Sequence, residues 1–168
     1  MKFISYSKEH FEKKKLHLKP GNFIVTTGGG FIDRLIQFST MSKWNHAALV
    51  IDSKGTVIDV IGTGIRKLPL STFSQNDYHI VNVEMSDEDR KQVVAYAAFM
   101  LKKHAKYGFV TIASIVLKIL THSRLVIKLD GTLICSEFVA NALAEGGVIW
   151  DKDTSLITPA DLYNKFIA

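Results

Sequence analysis

The single cysteine of the chain, Cys135, is the residue whose chemistry the sequence indicates most clearly. It stands at the first position of a predicted helix over Cys135–Glu145, in which apolar residues recur at helical spacing between Phe138 and Leu143. Unpaired backbone N–H groups and the positive end of the helix dipole favour a thiolate at such a position. The same N–H groups can hold an oxyanion. Free cysteine is also among the most often buried residue types, so position alone leaves a structural role open.

A thiol nucleophile needs a base within hydrogen-bond reach, and histidine is the usual one. His46 begins the predicted strand NHAALVI directly after Trp44 and Asn45, where a loop becomes a sheet. Such a junction holds a polar group rigidly at the edge of a cleft, although a buried structural histidine fits the same pattern. The other five histidines lie in polar stretches or at predicted surface positions. His46 is therefore the candidate base.

A lone carboxylate, Asp59, interrupts the apolar strand predicted by TVIDV. Burying it without a partner is costly, and a carboxylate commonly orients a catalytic imidazole. A two-residue turn at Lys54 and Gly55 would place Asp59 opposite Val50, on the face of His46 but about 13 Å along the strand. A three-residue loop would place it on the other face. The sequence leaves open whether Asp59 joins the site or faces solvent.

A glycine-rich segment, TTGGG at positions 26–30, separates a predicted strand over 22–27 from a helical apolar pattern over 31–39. It lacks the GK[ST] and GxGxxG patterns that cradle phosphates, so nucleotide binding is not indicated. A tight turn is the simpler interpretation. A loop that lines the substrate, with Gly30 in contact, is the alternative.

The elements around these residues predict an α+β fold, with helices packed around an antiparallel sheet. Further strands are predicted over 45–52, 56–60 and 78–84, and helices from Ser86, over 109–120 and from Thr158. A length of 168 residues, with 47% hydrophobic and 22% charged residues, excludes disorder and predicts one domain over 1–168. Residues 1–20 form its charged lead-in.

The net charge of the chain limits the kinds of partner that we expect. Lys and Arg outnumber Asp and Glu by 21 to 16, a net charge of +5, which suits an anionic cell-wall or membrane surface. No basic stripe interleaved with aromatics indicates nucleic acid, and no metal-ligand spacing is present. No transmembrane segment or signal-peptide pattern is predicted. We therefore expect a cytoplasmic protein, or one delivered by other machinery as phage and effector proteins are.

Five motifs follow one another between about Pro20 and Tyr163: GNFIVTTGGGFIDRLIQFST, WNHAALVI, VIDV, LICSEFVANAL and ITPADLY. In this order they resemble the circularly permuted papain-like amidases, the YiiX/YebB-like branch of the NlpC-type cell-wall peptidases. The order of the motifs makes the resemblance specific, because the histidine strand comes first and the cysteine helix last, the reverse of papain. The resemblance implies a papain-like antiparallel sheet or half-barrel with packed helices, and a thiol hydrolase that needs no cofactor.

Within this resemblance, Cys135 matches the nucleophile, His46 the histidine and Asp59 the third polar position. Tyr107 resembles part of a Tyr-Gly segment before the nucleophile helix, whose hydroxyl would help bind the substrate carbonyl.

Trp44 and Gly30 are further substrate-binding candidates. Asn22 departs from the family, where Asp is frequent, and we expect it to affect a turn rather than the chemistry. The implied reaction is cleavage of a peptide amide, as in cell-wall peptide. A lipid acyl hydrolase or acyltransferase of the same fold is one alternative, and a non-catalytic binding module is another.

Overall fold

A computed structural model describes residues 18–27, 42–61, 64–103, 106–107 and 132–167, with 106–107 and 132–133 described by their backbone alone. The strands and helices are, in chain order, β1 (Phe23–Thr26), β2 (His46–Val50), β3 (Thr56–Ile61), β4 (Gly64–Pro69), a 3₁₀ turn (Leu70–Phe73), β5 (Tyr78–Val81), α1 (Asp87–Lys102), β6 (Lys106–Tyr107), β7 (Thr132–Leu133), α2 (Cys135–Glu145), a second 3₁₀ turn (Thr154–Leu156) and α3 (Pro159–Ile167).

Five strands form one antiparallel sheet in the order β4-β3-β2-β1-β5, and β6 pairs with β7 in a short parallel ladder. The predicted α+β class is confirmed at this level. The four predicted strands are present, three of them with shorter bounds and β3 one residue longer, whereas β4 and its 3₁₀ turn were not predicted. The helical patterns over 31–39 and 109–120, and Gly30, lie outside the described residues.

Both faces of the sheet are covered. Along β2, Ala47 and Leu49 pack in the larger core cluster with the helices, whereas Ala48 and Val50 pack in a smaller cluster with Phe73. Because both faces of β1, β2 and β3 are buried, these strands consist of nearly continuous apolar residues instead of alternating ones, whereas the edge strand β4 has no buried residue. Asp59 is therefore a charged group in a buried strand, so it needs partners that offset the cost of burying its charge.

Helix α2 lies against β2, β3 and α1, and it ends where the sequence predicts. The N–H of Gly147, with φ at +85°, bonds to the carbonyl of Ala144, and that of Val148 bonds to Leu143. This is the Schellman arrangement that a glycine permits. Gly146 is needed for close packing, since a Cβ there would lie 2.5 Å from Cγ2 of Val93 on α1.

Asn22 is buried, where it connects two segments of the chain. Its Nδ2 donates to Oδ1 of Asn82 at 2.7 Å, and its Oδ1 accepts from the backbone N–H of Val83 at 3.3 Å. Its own N–H bonds to the carbonyl of Lys19 in the preceding turn. Asn22 therefore joins the start of β1 to the segment that follows β5.

Among the described helices, none combines the length and apolar character that crossing a bilayer requires.

Candidate active site

Cys135 is the first residue of α2, as predicted, and its side chain is only 3% exposed. The residue before it, Ile134, occupies the N-cap position in extended conformation and supplies no side-chain hydrogen bond. The first helical bond runs from the N–H of Phe138 to the carbonyl of Ile134. The first backbone N–H groups of α2 therefore do not bond to carbonyls within the helix. Donors at a helix start stabilise a thiolate or an oxyanion beside them.

The strand that leads into α2 brings a second candidate near Cys135. Residue Tyr107 on β6 pairs with Leu133 on β7, two residues before the cysteine. The parallel ladder therefore holds the backbone of Tyr107 close to the start of α2. Its proposed contact with the substrate carbonyl stays a prediction.

His46 is the first residue of β2, and its imidazole bonds to Asp59 on the neighbouring strand. The His46 Nε2 atom lies 2.6 Å from the Asp59 Oδ1 atom. The His46 side chain is 14% exposed, whereas that of Asp59 is fully buried. An ionised carboxylate only accepts hydrogen bonds, so the proton between them belongs to Nε2. The other ring nitrogen, Nδ1, is left to take a proton from a nucleophile.

The loop between β2 and β3 explains why Asp59 reaches His46. Both turn geometries considered from the sequence are wrong, because the loop spans residues 52–55 and places Asp59 opposite Ala48. The Asp52 carboxylate sets this loop by accepting the N–H groups of Lys54 and Thr56, each at 2.9 Å. Asp59 is then the diagonal neighbour of His46 on one face, about 7–8 Å between Cα atoms. Side chains bridge that distance.

Sequence analysis did not identify Arg66, the second partner of Asp59. Arg66 lies on β4 directly opposite Asp59, and its Nε and Nη2 both donate to Oδ2 of Asp59, at 3.1 and 2.8 Å. Its side chain is 47% exposed. An arginine seven residues after Asp59 was the available signal, but its significance depends on the strand register.

Cys135 interacts with the same imidazole. Burial by itself would lower the pKa of His46, but the negative charge of Cys135 and hydrogen bonds to Asp59 and Cys135 raise that pKa well above 6.5. The protonated imidazole is therefore stabilised from two sides, by the sulfur and by the carboxylate. This arrangement can hold a thiolate–imidazolium pair or pass a proton between the two groups.

The pKa of Asp59 moves in the opposite direction. Burial would raise it, but hydrogen bonds and charges from His46 and Arg66 outweigh burial and lower the pKa below 3.8. A fully buried carboxylate that stays ionised at neutral pH is thus explained by two cationic partners. It can orient His46 and balance its charge throughout a reaction.

Trp44 precedes His46 by two residues and packs in an aromatic cluster. Its ring centroid lies 5.4 Å from that of Tyr163 and 6.5 Å from that of His79, and the Lys43 ammonium lies 4.3 Å above it. Trp44 is 6% exposed, so the indole is mainly a wall that supports the strand start. Its proposed contact with substrate stays a prediction.

Over the part of the chain that the structure describes, no group of three or more His, Cys, Asp or Glu side chains is arranged to hold a metal ion. Comparison of the sequence with models of protein families and with curated proteins found no match. The function must therefore be argued from the site itself.

Proposed function

We propose that the chain is a thiol hydrolase that cleaves an amide bond, with Cys135 as nucleophile and His46 as general base and acid. The observation that carries this proposal is the position of the His46 imidazole, which interacts with the only cysteine on one side and with a buried carboxylate, 2.6 Å away, on the other. A purely structural histidine needs neither an ionised carboxylate behind it nor a thiol in front of it.

The reaction follows from these positions. His46 takes the thiol proton, and the sulfur of Cys135 attacks the carbonyl carbon of the substrate. The free N–H groups at the start of α2 stabilise the oxyanion. The imidazolium then protonates the leaving amine as the C–N bond breaks, which leaves a thioester. Water, deprotonated by His46, hydrolyses the thioester and regenerates the thiol.

The chain order supports a finer proposal for the fold. The strand with His46 and the strand with Asp59 come early in the chain and the helix with Cys135 comes late. This is the order of the circularly permuted papain-like amidases that the sequence resembles, which supports the proposal that the chain has that architecture.

The test is the rate at which iodoacetamide alkylates Cys135 across pH, in the wild type and in His46→Ala. We expect rapid alkylation at pH 6 in the wild type. Without the imidazole the thiol loses its base, and the rate at pH 6 should fall roughly 10- to 100-fold. His79→Ala is the matched control, because His79 packs beside Trp44 without being assigned a role in proton transfer.

Equal, slow profiles in the wild type and in His46→Ala would make the proposal wrong.

The substrate class is determined in a separate assay, by incubating the enzyme with N-acyl peptides and with phospholipids and measuring released amine and released fatty acid. Cys135→Ala should abolish whichever activity is found while preserving the circular dichroism spectrum. Asp59→Asn should reduce it less, because the imidazole remains in place.

A further inference from the structure

The charged groups of the site form a single line across four neighbouring elements. Cys135 on α2 interacts with His46 on β2, His46 bonds to Asp59 on β3, and Asp59 bonds to Arg66 on β4. In the thiolate form their charges alternate in sign and sum to zero. The line begins at a buried sulfur and ends at a guanidinium that is half exposed.

The two oxygens of the Asp59 carboxylate are divided between its partners. Oδ1 faces His46, and Oδ2 accepts two N–H groups of one guanidinium fork. Both N–H groups of the guanidinium reach the same oxygen, as charge-assisted hydrogen bonds. Arg66 therefore satisfies Oδ2 and leaves Oδ1 to the imidazole.

We propose that Arg66 is a positioning residue for the Cys135–His46 pair, acting by holding Asp59 ionised and in one orientation. The inference rests on the proposed function. During the reaction His46 gives its proton to the leaving group and becomes neutral, so Asp59 briefly loses one of its two cationic partners. Arginine does not deprotonate in proteins, so the second partner remains charged at every step.

Loss of Arg66 would change the tautomer of His46 as well as its environment. A fully buried carboxylate with only a neutral imidazole beside it favours its protonated form. A protonated Asp59 would donate to Nε2 and leave the ring proton on Nδ1, toward the sulfur. That tautomer cannot accept the thiol proton, so the pair would be lost in the pH range where Asp59 is neutral.

The surroundings of Asp59 contain few other charges among the described residues. On the elements packed against β3, His46 and Arg66 contact Asp59 directly. Cys135 contacts His46 and is connected to Asp59 only by way of that imidazole. Lys67 is next to Arg66 on β4 but alternates to the opposite face, opposite Ile58. On α2, Glu137 interacts with Tyr96.

The test compares Arg66→Gln, Arg66→Lys and Lys67→Gln in the alkylation assay described above. In Arg66→Gln the acidic limb of the profile should move up by about one pH unit, because an opposite charge within hydrogen-bond distance shifts a carboxyl by about that much or more. Arg66→Lys keeps the charge and should recover most of the shift. Lys67→Gln removes the same charge from the same strand and should give the wild-type profile.

A second readout follows Asp59 directly, by titrating its carboxyl carbon with ¹³C NMR. The midpoint should rise in Arg66→Gln and stay in place in Lys67→Gln, a difference that loss of packing alone would not produce. If alkylation and the carboxyl titration of Arg66→Gln both match the wild type, the positioning role is overturned while the thiol hydrolase proposal stands. If the wild-type profile does not depend on His46, both proposals are overturned, since no pair exists to be positioned.

Discussion

The described helices begin in two different ways. Helix α1 begins with a reciprocal pair, in which Ser86 Oγ accepts the Asp89 N–H at 3.1 Å and Asp89 Oδ2 accepts the Ser86 N–H at 3.3 Å. Helix α3 begins with the same exchange between Thr158 and Asp161. Helix α2 begins after Ile134, whose side chain can accept nothing.

The capped starts of α1 and α3 serve the stability of the fold, whereas the uncapped start of α2 coincides with the candidate nucleophile. A capped helix start has one or two of its four orphan N–H groups satisfied by side chains, which stabilises the folded state. The start of α2 has no side-chain cap, and it is the place where negative charge would develop on Cys135. Departures from a local rule are expected at functional sites, and here the missing cap coincides with the nucleophile.

Placing a cap on α2 should weaken the site, and this is the largest effect we expect from changing a helix start. Ile134→Thr introduces a hydroxyl that can accept an N–H of the first turn, whereas Ile134→Val has the same shape without it. Competition for these donors should lower the alkylation rate of Cys135 at pH 6 about three- to tenfold relative to Ile134→Val, the range of helix-terminus effects.

Ile134→Val is the proper reference because Ile134 is 4% exposed and both variants lose the same methyl group from the core. Each should be destabilised by about 0.5–1.5 kcal/mol from that loss alone. Equal alkylation rates in the two variants would mean that the free N–H groups of α2 do not act on the sulfur.

Removing the cap of α1 should lower the stability of the fold without changing the reactivity of Cys135. Ser86→Ala leaves the N–H of Asp89 without its hydroxyl acceptor and should lower the free energy of unfolding by about 1 kcal/mol. The alkylation rate of Cys135 should not change, because Asp89 at the start of α1 lies beside Gly146, at the end of α2 opposite to Cys135. Ser86→Thr keeps the hydroxyl and should retain most of the stability in urea denaturation. A change in alkylation rate would show that the two helix starts are coupled.

The smallest effect is the pH dependence of stability, and it has opposite signs in the two regions. The pKa of Asp161 in the α3 cap would be raised by burial, but Lys152 and Thr158 lower it below 3.8. Its contribution is present above about pH 4 and is lost as pH falls further. The pKa of His46 is raised, so its contribution is present below about pH 6.5 and is lost as pH rises through the folded value.

Urea denaturation at each pH tests this assignment. The free energy of unfolding of the wild type should fall on both sides of the range between about pH 4 and 6.5. His46→Gln should remove the alkaline decline, whereas the acidic decline that Asp161 contributes should remain. If the alkaline decline in the free energy of unfolding persists in His46→Gln, a group other than His46 causes it.

Local patterns in the sequence were sufficient to predict where the three described α-helices start and where α2 ends. Helix α2 has the predicted bounds because an apolar face, a leading cysteine and the pair Gly146-Gly147 all act within a few residues. The capped start of α3 follows from Thr158, Pro159 and Asp161 for the same reason. Such signals need no knowledge of distant parts of the chain.

The partners of Asp59 could not be predicted in this way. Its distance from His46 depends on the number of residues in one loop, and that number depends on hydrogen bonds made by the Asp52 side chain. Arg66 becomes meaningful only after the β3–β4 register is known. Composition and periodicity carry no information on register when both faces of a sheet are apolar.

The separation of the site along the chain has a consequence for its synthesis. His46, Asp59 and Arg66 come from three consecutive strands that pair with their neighbours, whereas Cys135 follows Asp59 by more than seventy residues. At about 5–20 residues per second, translation makes the cysteine roughly 4–15 seconds after the aspartate. A nascent chain can therefore assemble the base, its carboxylate and the arginine while it still has no nucleophile. Under the proposed function, it becomes able to form acyl intermediates only when α2 docks on the sheet.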